Sequence, residues 1–176
     1  MKRSRKKEEK NKVAYLVGGM EKAPKLGSGW RNELTPFLEE LGFSIIDPVK
    51  KETNIVTQKT TNDWYKMKTS KKYFNVFVDN MRNIINIDLD IVEKAATHLV
   101  IYWDKYAAIG AGSQGEVTLG YRTWTKKGRP IAYLIVGNMP LKQVPGWILG
   151  CAQYIFTSTS EFKKFMLKEF KTSTKR

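Results

Sequence analysis

The chain has 176 residues, of which 41% are hydrophobic and 12% aromatic, and a net charge of +14. That suffices for one domain with a real core, falls short of two ordinary ones, and excludes general disorder. No run approaches the ~20 apolar residues of a membrane helix, and the charged stretch 1–12 lacks the apolar run of a secretory signal. One cysteine, Cys151, and one histidine, His98, allow neither an internal disulfide nor a Cys-rich zinc site. The expectations are a reducing cytoplasm, no structural metal and no membrane contact.

The basic charge gathers at the ends. Residues 1–12 hold seven Lys/Arg and two Glu, and residues 171–176 add Lys171, Lys175 and Arg176. We therefore expect a basic disordered tail over 1–12, one folded domain over 13–170 and a second basic tail over 171–176. Such tails either stay solvated or attract nucleic acid weakly.

Val13–Val17 is a short apolar run ending at Gly18-Gly19, which predicts a buried strand and a tight turn. A Gly/Pro/Lys loop to Gly29 follows. Trp30, Leu34, Phe37, Leu38 and Leu41 share one side of a helix over 30–41, and Gly42 suits its stop. Phe43–Ile46 reads as a second strand closed by Asp47-Pro48. The polar region 49–72 reads as loop with some helix. Its lysines enclose Trp64, Tyr65 and Tyr73, a pattern that suits either single-stranded nucleic acid or a surface segment covering a pocket.

Apolar residues at spacings of three and four predict helix over 73–96, as two helices meeting near Asn86. Leu99–Trp103 is apolar throughout and reads as a central strand buried on both faces. A Gly-rich loop, Gly110–Gly115, is expected next, then a helix over 116–127. Ile131–Val136 and Tyr154–Phe156 complete the strands. Ser158 and Glu161 stand at capping-box spacing before a last helix to about Phe170. Strands alternating with helices predict a single α/β domain: a largely parallel five-stranded sheet with helices on both faces. Ligands of such sheets bind beyond the carboxyl ends of the strands.

Gly110, Gly112 and Gly115 spell GxGxxG, but the motif follows a middle strand. No Asp or Glu occurs between Glu116 and Glu161, so the acidic partner expected ~20 residues later is missing. No nicotinamide, flavin or other cofactor is expected. Glu116 falls at the predicted first turn of a helix, beside Ser113. It serves either the helix dipole alone or as a carboxylate nucleophile kept ionised by the helix terminus. Asp88, Asp90 and Asp104 are the other acids that could share that edge. His98 reads as structural or exposed, Cys151 as unreactive, and Trp124 and Trp147 as packing or interface residues.

Tyr15 to Gly19, Gly29-Trp30-Arg31, Leu41-Gly42-Phe43, Asp47-Pro48, Asp88-Leu89, Gly112 to Glu116 and Leu119-Gly120-Tyr121 together resemble the nucleoside 2-deoxyribosyltransferase family, including its phage and bacterial members. The likeness spans roughly 13–147 and implies a flavodoxin- or Rossmann-like fold. It implies that Glu116 attacks the anomeric carbon of a 2'-deoxynucleoside, forming a glycosyl-enzyme that a second base or water then resolves. By the same resemblance Tyr15 orients Glu116, and Asp88 handles the proton of the leaving base. Tyr15 as a core tyrosine and Asp88 as a helix-surface acid are the plainer alternatives.

Family transferases carry an aspartate six residues before the nucleophile, where this chain has Gly110; Asp104 is the candidate substitute. Family members that hydrolyse deoxynucleoside 5'-monophosphates hold phosphate with a loop serine. Ser113, aided by Arg31 and the lysines, would fill that role. Gly18, Gly19, Gly112 and Gly115 are the expected close-approach positions. Asn138 and Gln143 are candidates for the polar group that a neighbouring subunit contributes in the family, which implies a homo-oligomer. The partners implied are a deoxynucleoside or deoxynucleotide and a free base, in the host cytoplasm if phage-encoded. The rival readings are a nucleotide- or nucleic-acid-binding protein on the same fold with lost chemistry, and an enzyme modifying DNA itself.

Overall fold

Four consecutive residues of the first strand, Ala14–Val17, are buried, and the sheet is built outward from them. The computed structural model describes residues 11–51 and 58–170. Strand β1 (Lys12–Gly18) pairs with β2 (Phe43–Ile46) on one side and β3 (His98–Trp103) on the other. β4 (Ile131–Val136) and β5 (Tyr154–Phe156) extend the sheet beyond β3. All four pairings are parallel and the order is β2-β1-β3-β4-β5, a flavodoxin/Rossmann-like arrangement. Both expected basic tails lie almost wholly outside the described residues.

The period of two along β1 divides the core. Ala14 and Leu16 pack with α1 (Ser28–Glu40) and α8 (Thr159–Phe170) through Leu34, Leu38, Phe162 and Met166. Tyr15 and Val17 face the opposite layer, where Val117 and Ile148 lie. Those residues belong to α6 (Ala111–Lys127) and α7 (Gly146–Cys151). Each buried Leu, Ile or Phe there contributes about 1.5–3 kcal/mol of transfer free energy.

Three elements depart from the sequence reading. The described part of the region 49–72 is mostly helix, α2 (Pro48–Lys51) and α3 (Gln58–Thr69), and residues 52–57 lie outside the described residues. Its polar composition hid α3, because among residues 63–69 only Trp64 is deeply buried, against Leu26 and Phe77. The predicted pair of helices over 73–96 is one helix, α4 (Phe74–Asp90), closed by a π-turn over Ile91–Ala95. Ile91 and Val92, at the start of that wider turn, lie in the core. The Gly-rich loop is helical from Ala111, and a short helix, α5 (Lys105–Ile109), takes up the chain after β3. The last helix is capped as expected at Ser158, whose hydroxyl accepts the Glu161 N–H at 3.1 Å. The Glu161 carboxylate reaches one residue further back than a capping box requires, to Thr157 N–H.

Candidate active site

The buried residues of α6 are Ser113, Glu116, Val117, Gly120 and Thr123, a single stripe that faces the sheet. Gly120 brings the helix close: a Cβ there would lie 2.4 Å from Leu99 Cδ1. Leu99 is the register partner of Tyr15. One turn earlier on the same stripe, Glu116 meets Tyr15, whose hydroxyl donates to Glu116 Oε1 at 2.6 Å. On α4, Phe77, Met81, Ile84 and Asp88 recur at spacings of four, three and four, so Asp88 continues an inward-facing stripe. Its charge acts on both Tyr15 and Glu116.

Glu116 is only 8% exposed and Tyr15 not at all. Burial is the main cause of a Glu116 pKa raised to about 8, and the neighbouring Asp88 carboxylate adds to it. The Tyr15 hydrogen bond and the more distant Arg31 cation pull the other way without winning. This corrects the expectation of a carboxylate held ionised by a helix terminus. Glu116 lies in the second turn of α6, after helical Gly112 and Gly115, beyond the unpaired amides of the first turn. Burial, with Glu116 and Asp88 beside it, also drives the Tyr15 phenol far upward, so Tyr15 remains a neutral donor. Two carboxyls and one phenol thus share a nearly dry space, where ionising the second acid is costly.

Arg31 lies inside the molecule rather than on a phosphate-binding surface. It is fully buried and donates to the carbonyls of Leu26 (3.2 Å), Gly27 (3.0 Å) and Gly18 (3.1 Å). Its Nε lies 3.5 Å from Asp47 Oδ1, a partner that the sequence marked only as the end of a strand. These bonds hold a tight turn, Pro24–Gly27, in which Lys25 and Leu26 have positive φ of 49° and 56°.

Gly18 and Gly19 are sites of close packing. A Cβ would come within 2.9 Å of Trp30 at Gly18, and within 2.7 Å of the Tyr106–Ala107 backbone at Gly19. Asp104 caps α5, its Oδ1 accepting the amides of Tyr106 and Ala107 at 2.9 Å each. Ser113 is buried one turn before Glu116, whereas Gly112 and Gly115 are exposed and a Cβ at either would touch nothing. Asn138 and Gln143 are exposed beyond β4.

The remaining candidates sit elsewhere. His98, next to Leu99 on β3, points to the other face of the sheet, where it stacks on Tyr133, and burial, helped by Lys12, lowers its pKa to about 4. Cys151 is buried, which raises its thiol pKa. Trp147 is exposed and donates to Thr118 Oγ1 at 3.0 Å, beside an open cleft of about 470 Å³ lined by Gly115, Leu119 and Arg122. Among the described residues, no helix is long and apolar enough to cross a membrane. Comparison of the chain with protein-family models and with curated proteins returns no match.

Proposed function

We propose that this chain cleaves or transfers the N-glycosidic bond of a 2'-deoxynucleoside or its 5'-monophosphate. The observation that carries the reading is the buried Tyr15–Glu116 hydrogen bond with Asp88 beside it. A carboxyl withdrawn from water and oriented by a neutral donor suits a nucleophile that must meet a carbon centre of growing positive charge. The resemblance of Tyr15, Asp88 and Glu116, in that order, to the nucleoside 2-deoxyribosyltransferase family points to the same chemistry.

In this mechanism Glu116, which burial keeps protonated up to about pH 8 in the free protein, passes its proton to Asp88 as substrate binds and attacks as the carboxylate. Glu116 forms a bond to the anomeric carbon as the carbon–nitrogen bond breaks, and Asp88 delivers its proton to the departing base. A water molecule or a second base then displaces Glu116, and its proton returns to Asp88. Tyr15 holds the carboxylate in line throughout.

The test is incubation of the full chain with deoxynucleosides and with their monophosphates, with and without a free acceptor base. Base release and exchange are followed by chromatography. We expect release that is lost in Glu116→Ala. Equal release by that variant would remove the reading. Turnover without acceptor identifies a hydrolase, and dependence on acceptor identifies a transferase.

A further inference from the structure

Helices α3 and α4 form a hairpin whose turn is closed by the Tyr73 and Phe74 amides donating to Ser70 O at 3.2 and 3.0 Å. The inner side is an apolar seam, with Trp64 against Leu26 and Phe77. The hairpin also carries exposed rings at and near its turn: Tyr65 is 72% exposed, Tyr73 46% and Phe74 48%. Three large aromatics left in water within ten residues are unusual, because burying each is normally favourable.

Cations stand among the rings. The Lys66 side chain is 82% exposed and lies 4.0 Å from Asp63, a loose pair in full solvent. Lys71 and Lys72 are exposed, and among the described residues no carboxylate pairs with either. Lys72 Nζ lies 5.0 Å from the Tyr73 ring centre. Lys68 differs, being paired with Glu21. Exposed ring faces interleaved with uncompensated cations match a ligand that offers flat apolar faces and regular negative charge together. A duplex offers the charge but hides its base faces in the stack, and an anionic bilayer offers no flat faces to stack on.

We infer that the α3–α4 turn is a binding surface for single-stranded nucleic acid. Tyr65, Tyr73 and Phe74 stack on bases, and Lys66, Lys71 and Lys72 neutralise phosphates. The surface lies about 21 Å along α4 from Asp88, at 1.5 Å per residue, and its binding is independent of chemistry at Glu116.

Fluorescence anisotropy with the full chain and labelled oligo(dT) of about 20 nucleotides tests this. The comparison arms are a duplex of equal length and anionic phospholipid vesicles. The expected result is salt-sensitive binding to oligo(dT), tighter than to the other two. The double variant Tyr65→Ala/Tyr73→Ala, with both basic tails intact, binds about tenfold or more weakly. Lys71→Glu/Lys72→Glu reduces both affinity and the salt slope. All four positions are exposed, and unchanged thermal melting verifies that the variants fold. Absence of oligo(dT) binding, stronger binding of duplex or vesicles, or equal binding by the ring variant overturns the inference. The last outcome would assign the affinity to the tails.

Discussion

Arg31 with Asp47 and Glu116 with Tyr15 and Asp88 are both charged groups withdrawn from water near the carboxyl end of β1, yet only the first is neutralised. Arg31 meets three carbonyls and one carboxylate. Burial pulls its pKa down, and Asp47 opposes that most strongly. Glu116 faces another acid instead, and its pKa rises to about 8. The first cluster repays its desolvation within the fold and fixes a strained turn. The second leaves a carboxyl poorly solvated, which a substrate with developing positive charge can relieve.

The sharpest way to break that contrast is Glu116→Gln, which keeps an acceptor for Tyr15 and removes the acid. Base release should fall by about 10³-fold or more. The same variant should be the more stable protein at high pH. In the wild type Glu116 holds its proton to about 8 when folded but to its ordinary 4.5 when unfolded. Below 4.5 the group is protonated in both states and contributes no difference. As pH rises from there through 8, wild-type stability falls, at up to about 1.4 kcal/mol per pH unit. Melting points of the two proteins should therefore coincide near pH 4, separate progressively from about 4.5 to 8, and stay apart by a constant amount above that. Melting points that run parallel throughout would mean that Glu116 is as well solvated as a surface acid.

Next in size is Arg31→Met, aimed at the neutralised cluster. It leaves Asp47 without its cation and three carbonyls without donors. The expected cost is about 3–5 kcal/mol, or a melting point lower by roughly 6–20 °C. A shift under about 2 °C would show that the turn over Pro24–Gly27 is held by Leu26 packing alone.

The two clusters were unequally legible in the sequence. Strands announce themselves as apolar runs, so the sheet and its parallel order followed from Val13–Val17, Leu99–Trp103 and Ile131–Val136. Glu116 and Tyr15 were found by resemblance and by their motif neighbours. What the sequence hid was the balance of burial against helix dipole. Gly112 and Gly115 read as loop because glycine weakens helices, whereas the inward stripe from Ser113 to Thr123 carries α6 through them. Arg31 read as a phosphate-binding cation because its partner, Asp47, lies sixteen residues on in the next strand's exit. Pairings of that kind exist only once β1 and β2 are side by side.

A smaller effect separates the roles of the groups around Glu116. The Tyr15 bond lowers the Glu116 pKa and Asp88 raises it. Tyr15→Phe should therefore move the acid limb of the rate–pH profile upward. Asp88→Asn should move it downward, in addition to slowing base release by about 10²-fold through loss of the proton donor. Profiles that shift in the same direction would mean that the two groups do not act on Glu116 separately.

The smallest effect concerns Gly112, four residues before Glu116 and so nearly above it on the exposed end of the helix. A methyl group there meets no protein atom, so Gly112→Ala should fold and gain about 0.4–1 kcal/mol because the unfolded chain loses conformational freedom. If substrate reaches Glu116 past that open face, the same methyl group occupies part of its path. The expected outcome is a melting point higher by a few degrees together with a raised KM and a nearly unchanged kcat. A stabilised variant with unaltered KM would place the approach on another side of the carboxyl. The contrast between the clusters would survive that result, since it rests on burial and partners rather than on the route of entry.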